Sequence, residues 1–257
     1  MDVAIVGAGQ TGRALGLLAR RAGYAIGPVV CRTAERAEAA ARFIGGGRPT
    51  TRLEGAALTL VTVPDGAIAE VARGLAVPEG GVTAHACGSL GAEALRPRRP
   101  AGAIHPLRSF ADPARAVELF PGTACAVDGD GEAVEVLDRF VRAIGGTPLR
   151  VRSDRKALYH AAAVVACNYL VTLEREAVAL MEAAGVPRGL ALPALLPLVR
   201  GTVHNLEAVG LPQALTGPIA RGDAATVARH VCALRERAPG MLELYRQLGR
   251  RTIAVGL

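Results

Sequence analysis

Aromatic residues and lysine are scarce in this sequence. Trp is absent, Phe and Tyr occur four times each, and Lys156 is the single Lys among 30 basic residues. Proteins that bind single-stranded nucleic acid combine a basic surface with aromatic side chains on which the bases stack. Because aromatics are few and the arginines are spread along the chain, nucleic-acid binding is not expected. The net charge of +7 favours a small anionic ligand instead.

Cysteine pairs and metal-ligand spacings are also missing. The five Cys residues contain no Cys-x-x-Cys motif, so neither a zinc ribbon nor a disulfide framework is expected. The histidines lack the spacing that is typical of metal ligands. We therefore expect no bound metal.

No apolar run is long enough to cross a membrane. The longest one without a charge or a Pro, residues 161–171, is far shorter than the roughly 20 residues that a bilayer span requires, and it indicates a core helix. The chain enters an apolar stretch directly after Met1 and Asp2, without the basic and apolar regions of a signal peptide. These features predict a cytoplasmic protein that binds no membrane.

The first half of the chain has the pattern of a parallel sheet. With 257 residues, 51% of them hydrophobic, the chain is long enough for two domains of roughly 100 residues or more. Up to about residue 150, short apolar runs alternate with Ala-rich helical stretches, which is typical of a sheet covered by helices on both faces. The predicted strands are residues 3–6, 28–31, 58–63, 82–85, 101–105 and 123–127.

The second half is predicted to be helical throughout. Residues 153–184 contain neither Gly nor Pro, so a single long helix is expected there. Three further helices are predicted, over residues 187–209, 223–237 and 239–255. The predicted architecture is a doubly wound α/β Rossmann domain over residues 1–150, followed by an all-α domain over residues 151–257.

A glycine-rich turn follows the first predicted strand. Gly7, Gly9 and Gly12 form a Gly-x-Gly-x-x-Gly pattern between an apolar strand and a helix. In dinucleotide-binding units the first Gly makes the tight turn, the second lets a pyrophosphate approach the backbone, and the third lets the helix pack on the strand. The helix N-terminus adds free N–H donors, so Gln10 and Thr11 are also predicted to bind the cofactor. A tight turn without any ligand is the alternative.

The residues after the second predicted strand favour NADP(H) over NAD(H). In NAD-binding units a carboxylate about 20 residues past the glycines binds the ribose hydroxyls. At the end of this strand the chain has Arg32 and Thr33 instead, followed by Arg36. A guanidinium forms charge-assisted hydrogen bonds to phosphate, which suits the 2′-phosphate of NADP. The alternative is that Arg32 is an ordinary solvated residue at the start of a helix.

Several short motifs occur in an order that resembles a known family. They are the glycine-rich turn, Val63-Pro64-Asp65, His85-Ala86-Cys87-Gly88-Ser89, residues 104–110, residues 160–168 and residues 215–223. Over nearly the whole chain the sequence resembles the NADP-dependent β-hydroxyacid dehydrogenase superfamily, which includes 6-phosphogluconate dehydrogenase, ketopantoate reductase and pyrroline-carboxylate reductase. More narrowly, it resembles a bacterial branch of Rossmann-like oxidoreductases with a C-terminal helical domain of unknown function.

This resemblance implies a homodimer whose helical domains pack together, with an active site in the cleft between the two domains. The motifs after predicted strands lie at the carboxyl ends of those strands, where open α/β proteins bind ligands. Val63 and Pro64 would then line the nicotinamide side of the cofactor, although a proline that only ends a strand is an equal alternative. Cys87 stands where the family pattern has a serine, and we interpret it as a small packing residue.

The proton donor of the superfamily is missing from its usual position. The superfamily carries a catalytic Lys on the long helix and an Asn four residues later; Asn168 matches that Asn, but Val164 occupies the Lys position. His160 and His105 are the candidate proton donors instead, because an imidazole titrates near neutrality. Asn168 is expected to contact the substrate, and Lys156 is left out of the predicted catalytic set.

Ser89 and Arg108 are the predicted substrate anchors, because a hydroxyl and a guanidinium can both bind a carboxylate. The predicted function is an NADPH-dependent oxidoreductase that transfers a hydride to a small carbonyl or imine substrate bearing a carboxylate. One alternative is a non-catalytic NADP-binding sensor or partner-docking module, which the missing Lys at Val164 favours. Another is a methyltransferase, which would bind S-adenosylmethionine beside the same turn.

Overall fold

The computed structural model describes residues 1–255 and contains one eight-stranded sheet in that range. The strands are β1 (Asp2–Val6), β2 (Ala25–Val30), β3 (Arg48–Thr50), β4 (Leu58–Val61), β5 (Val82–His85), β6 (Ala101–Pro106), β7 (Ala124–Gly129) and β8 (Thr147–Arg150). Their order is β3-β2-β1-β4-β5-β6-β7-β8, and each neighbouring pair is parallel except β6 and β7. This order confirms the predicted Rossmann-like α/β fold.

Helices connect the strands and make up the C-terminal part of the described chain. They are α1 (Gln10–Arg21), α2 (Ala34–Ile44), α3 (Ile68–Gly74), α4 (Pro113–Glu118), α5 (Gly131–Ala143), α6 (Lys156–Ala166), α7 (Asn168–Ala183), α8 (Arg188–Val209), α9 (Ala224–Arg237) and α10 (Leu242–Val255). The predicted helical C-terminal region is thus confirmed, and the last three helices lie close to their predicted bounds.

The hydrophobic core of the sheet has two faces. Val3 and Ile5 of β1 pack into the larger cluster of buried residues, whereas Val6 packs into the smaller one. Alternate residues of β4 divide in the same way, with Leu60 in the larger cluster and Val61 in the smaller. Since both faces are covered, these strands are mostly apolar on both faces and do not follow a regular alternation of apolar and polar residues.

The two strands that sequence reasoning missed lie at the edges of the sheet. β3 and β8 are three and four residues long, contain Pro49 and Pro148, and are largely exposed. Proline is tolerated at a sheet edge because one side of an edge strand needs no hydrogen bonds. Short exposed strands with a proline carry little apolar signal, which explains why the pattern did not reveal them.

By packing, the described chain divides into two compact units, Met1–Val165 and a second unit that begins at Ala166. The predicted boundary after residue 150 coincides with the end of β8, but most of α6 belongs to the first unit. The physical reason is that the start of α6 is anchored in the sheet. Lys156, its first residue, is buried beside Asp128 of β7.

The helix predicted over residues 153–184 differs from the structure in two respects. It is interrupted at Cys167, which separates α6 from α7, so the prediction of a single helix is wrong. Residues 161–171, predicted as a core helix, are exposed or half-buried because no other part of the described chain covers them. In the whole second unit only Ala191, Ala214 and Leu234 are buried, among residues 166–255.

The segment Ser153–Ala183 passes a simple test for a membrane span. It has 31 residues and a mean hydropathy of 1.2 in its most apolar stretch, of which none is buried. The test rests on length and composition alone. Its first residues include the charged Lys156, which is held inside the first unit, and the break at Cys167 divides it into two helices.

Lys156 and Asp128 form the buried charge pair of the first unit. Their side chains are 1% and 6% exposed, and Lys156 Nζ lies 3.9 Å from Asp128 Oδ1. Ser153 donates a hydrogen bond to the other carboxylate oxygen at 2.8 Å, whereas Nζ and Oδ1 form none with the described residues. Burial lowers the pKa of Lys156, and the Asp128 carboxylate opposes that change. The pair fixes where α6 begins on the sheet.

Replacing Asp128 by Asn should destabilise the protein strongly, because the Lys156 charge would stay buried without its counter-charge. We expect a loss of about 3 kcal/mol in unfolding free energy, measured by urea denaturation. Asp138→Asn is the matched control, because it removes an ion pair to Arg150, whose side chain is 55% exposed, and it should cost less than about 1 kcal/mol. Equal losses in the two variants would contradict this account.

Candidate cofactor and substrate site

The three glycines of the turn have three different structural roles. Gly7 has a φ of 88°, and its carbonyl oxygen accepts a hydrogen bond from Gly9 N at 2.8 Å, which closes the tight turn after β1. A Cβ on Gly12 would overlap Thr62 Oγ1 at the end of β4, so this glycine lets α1 pack on the sheet. A Cβ on Gly9 would meet nothing within 4 Å. The open space beside Gly9 is what a pyrophosphate would need.

A groove of about 800 Å³ runs past this turn at the carboxyl ends of β1, β2 and β4. Its lining residues come from these three strand ends and from the helices that follow them. They are Gly7, Ala8, Gly9, Gln10, Arg13, Cys31, Arg32, Arg36, Thr62, Val63, Pro64, Ala67 and Val71. The groove therefore brings together most of the residues predicted to bind the cofactor.

Three arginines line the groove, one more than the sequence predicted. Arg32 and Arg36 are exposed, whereas the Arg13 Nε atom is buried and has no hydrogen-bond partner among the described residues. Arg13 lies one residue after Gly12, on the first turn of α1. Its position on the helix that opens at the phosphate-binding turn was the available signal. The groove thus offers guanidinium groups from α1, from the β2–α2 connection and from the first turn of α2.

Thr33 and Thr11 lie beside the groove and do not line it. The Thr33 hydroxyl accepts a hydrogen bond from Arg36 N at 3.4 Å and so caps the N-terminus of α2. Thr11 lines a neighbouring pocket instead. Contact between either threonine and a cofactor stays a prediction.

The neighbouring pocket, of about 370 Å³, contains one predicted proton donor and one predicted substrate anchor, His105 and Arg108. The residues that line it are Gly9, Gln10, Thr11, Thr62, Ala86, His105, Pro106, Arg108 and Phe110. Gly9 and Gln10 line both the groove and this pocket. The two spaces therefore adjoin each other, with the phosphate-binding turn between them.

His105 and His160, the two predicted proton donors, lie together in the first unit. Their ring centroids are 5.8 Å apart, with His105 at the end of β6 and His160 on α6. Gly88 makes this arrangement possible, because a Cβ there would lie 2.5 Å from His160 Cδ2 and 2.8 Å from His105 Nε2. Tyr159, which the sequence analysis did not consider, is 2.9 Å from His105 Nδ1 through its hydroxyl oxygen.

The environment of His105 and Tyr159 shifts the pKa values of both side chains. Burial, helped by the Lys156 charge, lowers the pKa of His105 to about 4, so the imidazole is neutral at pH 7. Burial raises the pKa of Tyr159 to about 12, so its hydroxyl keeps its proton. The pocket therefore presents a neutral imidazole, backed by a protonated phenol.

The loop after β5 is held by a buried histidine. His85 accepts a hydrogen bond from Cys87 N at Nδ1 (3.2 Å), and its Nε2 donates to the Gly91 carbonyl oxygen (2.8 Å). Burial lowers the pKa of His85, which agrees with a neutral ring whose nitrogens are both engaged. Cys87 is buried, and its Sγ is 3.2 Å from Ser89 Oγ. The loop thereby fixes Gly88 against the two histidines, while a substrate contact by Ser89 stays a prediction.

Asn168 lies in the second unit, where it opens α7 with an exposed side chain. Its predicted contact with the substrate stays a prediction. Val164, at the position of the superfamily's Lys, is half-buried on α6. Within residues 1–255, His, Cys, Asp and Glu side chains form no group of three that could hold a metal ion.

Of Lys156, Tyr159 and His160, the sequence pointed to His160, Lys156 was left out of the predicted site, and Tyr159 was missed. They are three and four residues apart on α6, so one face of this helix carries all three toward the sheet. That spacing was visible in the sequence. What it could not show was that the same face meets His105, which is more than fifty residues earlier in the chain.

The fold and the glycine-rich groove define a Rossmann-like protein with a helical C-terminal unit. Residues 1–108 match the model of the Rossmann-like domain, and residues 123–252 match the model of a domain of unknown function, DUF2520. Since the second match spans half of the chain, the protein belongs to the DUF2520 family. No curated protein matches the chain in sequence.

Solved structures of similar proteins share the fold over their whole length. A Thermotoga maritima protein is 26% identical, with a TM-score of 0.81 over 100% of this chain and 98% of its own. A Bacteroides fragilis protein, provisionally described as an NADP oxidoreductase, is 24% identical, with a TM-score of 0.80 over 98% of both chains. A reductive aminase from Aspergillus terreus, in complex with NADPH and ethyl levulinate, is 18% identical, with a TM-score of 0.69 over 99% of this chain and 94% of its own.

Alanine substitutions at Gly9 and at Gly12 should distinguish a loss of NADPH binding from a loss of stability. Gly12→Ala places a methyl group against Thr62 and the Gly7 carbonyl oxygen, so we expect a loss of about 1–3 kcal/mol in unfolding free energy. Gly9→Ala fills only open space, so stability should change by less than about 0.5 kcal/mol, while NADPH binding is lost. Thermal unfolding with and without NADPH measures both. Full NADPH binding by Gly9→Ala would mean that the turn is purely structural.

Proposed function

We propose that this protein is an NADPH-dependent oxidoreductase that reduces a small carbonyl or imine substrate bearing a carboxylate. The observation that carries the proposal is that two spaces adjoin at the phosphate-binding turn, because Gly9 and Gln10 line both the arginine-rich groove and the pocket of His105. A dinucleotide enzyme needs its phosphate-binding turn close to the reacting groups.

Similar proteins support the same reaction class. The Bacteroides fragilis protein is described as an NADP oxidoreductase, and the Aspergillus terreus reductive aminase binds NADPH together with a keto ester. Both share the fold over nearly the whole chain. Membership of the NADP-dependent β-hydroxyacid dehydrogenase superfamily, which the motifs suggest, is part of this proposal.

NADPH would supply the hydride, and the protein's own residues would bind and orient the reactants. Val63 and Pro64 offer an apolar wall in the groove, which suits an uncharged reduced nicotinamide ring. Arg108, in the pocket of His105, can bind a substrate carboxylate through charge-assisted hydrogen bonds. Ser89 is proposed to bind the same carboxylate.

The proton that completes the reduction is assigned to His160. His105 is neutral at pH 7 because of its low pKa, so it has no imidazolium proton to release. His160 is half-buried beside it and is the other imidazole of the cluster. We further propose that Asn168 orients the acceptor atom.

A sensor or docking module that binds NADP without turnover is the second candidate. Val164 in place of the superfamily's catalytic Lys is the observation that favours it. The discriminating measurement is NADPH consumption with a panel of carbonyl and imine substrates. Turnover with any member supports the enzyme, whereas tight binding that changes only the oligomeric state supports the sensor.

Arg32→Glu should weaken NADPH binding much more than NADH binding, because the variant repels the 2′-phosphate. In the wild type, NADPH at 100 times its dissociation constant should stabilise the fold by about 2.7 kcal/mol in a thermal-shift assay. Most of that gain should vanish in Arg32→Glu, with the NADH response nearly unchanged. Arg42→Glu is the control, since this exposed arginine lies on α2 outside the groove. Equal losses for both nucleotides, or no response of the wild type, would refute the assignment.

The second unit is proposed to pair with a second copy of the chain. A unit of about 90 residues normally buries a core, yet the described part of this one buries only three small or medium side chains. Val171, Leu198 and Leu211 are each about 70% exposed. Charged residues such as Arg175 occur on the same helices, which suits a protein partner better than lipid. We therefore propose a cytoplasmic homodimer formed through the helical units.

Leu198→Asp should convert this dimer into a monomer, because it places a charge on the apolar surface of α8. Sedimentation equilibrium at micromolar concentration should show a dimer for the wild type and a monomer for the variant. Leu119→Asp, at an exposed position in the first unit, should remain dimeric. A monomeric wild type, or one that floats with lipid vesicles, would contradict the proposal.

A further inference from the structure

Tyr159 and His105 form a side-chain pair that the proposed reaction does not yet use. The Tyr159 hydroxyl oxygen lies 2.9 Å from His105 Nδ1 and 3.4 Å from the His105 carbonyl oxygen. The two rings meet edge to face, with centroids 5.6 Å apart. On the other edge of the imidazole, Nε2 lies next to Gly88 and makes no hydrogen bond with the residues that the structure describes.

The hydroxyl has one hydrogen, and its position decides the tautomer of His105. If the hydroxyl donates to Nδ1, the ring carries its own hydrogen on Nε2. If it donates to the carbonyl oxygen instead, Nδ1 carries the hydrogen and Nε2 is bare. The second arrangement depends on an O–H···O hydrogen bond of 3.4 Å, well beyond the usual 2.5–3.0 Å. The 2.9 Å contact to Nδ1 therefore favours the first.

We propose that Tyr159 is a positioning residue that holds His105 as the Nε2–H tautomer, and that this N–H is the hydrogen-bond donor offered to the oxygen or nitrogen of the substrate's polar double bond. The inference rests on the proposed function and deepens it. It separates the roles of the two histidines: His105 binds and polarises the acceptor atom, and His160 supplies the proton.

The surroundings of His105 support a neutral donor. The titratable groups that face it are Lys156, Tyr159 and His160 from α6, His85 from β5, and Asp65 after β4. Burial and the Lys156 charge both disfavour the imidazolium form, while the Asp65 carboxylate opposes them. A neutral imidazole whose Nδ1 accepts a hydrogen bond can donate only through Nε2. It does so without an accompanying change of charge in the pocket.

The tautomer is directly measurable in the cofactor-free protein. In a sample with ¹⁵N-labelled histidine, long-range proton–nitrogen correlation spectra distinguish a protonated ring nitrogen from a bare one. The signals of His105 are identified by their loss in His105→Asn. The low pKa of His105 keeps the ring neutral from pH 6 to 8. In that range we expect a bare Nδ1 and a protonated Nε2, because the 2.9 Å contact to the Tyr159 hydroxyl favours this tautomer. A protonated Nδ1 in the wild type would overturn the proposal without any variant of Tyr159.

Tyr159→Phe removes the hydroxyl and keeps the ring. The His105 spectrum should then show a mixture of tautomers, and the pKa of His105 should rise, because the neutral ring loses a hydrogen bond. Tyr245→Phe is the matched control: it removes a similar hydroxyl, 2.8 Å from Nδ1 of the exposed His230, and should leave the His105 signals unchanged. Unchanged His105 signals in Tyr159→Phe would refute the positioning role.

Kinetics then test the link to the reaction. In Tyr159→Phe, kcat should fall on the order of tenfold, less than the roughly hundredfold loss when a transition-state donor is removed outright. The KM for NADPH should be unchanged, and the acidic limb of the pH–rate profile should move to higher pH. Failure of the wild type to bind NADPH would refute the proposed function and leave the tautomer result standing. Normal kcat with an altered tautomer would refute the donor role of His105.

Discussion

Strands β1 and β4 lie side by side in the sheet, and the chain leaves their carboxyl ends toward opposite edges. This reversal of strand order opens a gap above the sheet, which the helices on either side do not fill. Gly12 lets α1 approach Thr62 closely enough to begin at this gap, so the free N–H groups of the helix face into it. The groove, its arginines and the pocket of His105 are all arranged around that point. The chemistry proposed for this protein therefore depends first on strand order and only then on particular side chains.

The sequence was most informative where a local pattern has a single physical meaning. The apolar run before Gly7 could only be a strand buried on both faces, and the prolines and glycines between the last helices located their ends. Edge strands such as β3 were not predicted from the sequence, because they are short and exposed. The contact between Tyr159 and His105 was not predicted either, since no local sequence pattern encodes a contact between a helix and a distant strand. Arg13, one residue after Gly12, was within reach of sequence reasoning and was missed.

The second unit shows the limits of composition as a measure of burial. Residues 161–171 have the composition of a core helix, yet the structure leaves them exposed or half-buried. The amino-acid composition of a segment reflects its surroundings in the functional oligomer, which can include a second chain. In the proposed homodimer, the second copy of the chain covers these residues. This explains how one helical segment can resemble a protein core and also pass a test for a membrane span.

The imidazole of His105 is confined from both edges, by the Tyr159 hydroxyl at Nδ1 and by the backbone of Gly88 beside Nε2. A flip of the ring would lose the hydrogen bond between Nδ1 and the Tyr159 hydroxyl. The rotational entropy of this side chain is therefore lost when the protein folds and need not be lost again when a substrate arrives. Such preorganisation favours fast association and a narrow choice of ligand shape, since the pocket cannot adapt by turning its central ring. The same rigidity makes position 88 intolerant of any side chain, however small.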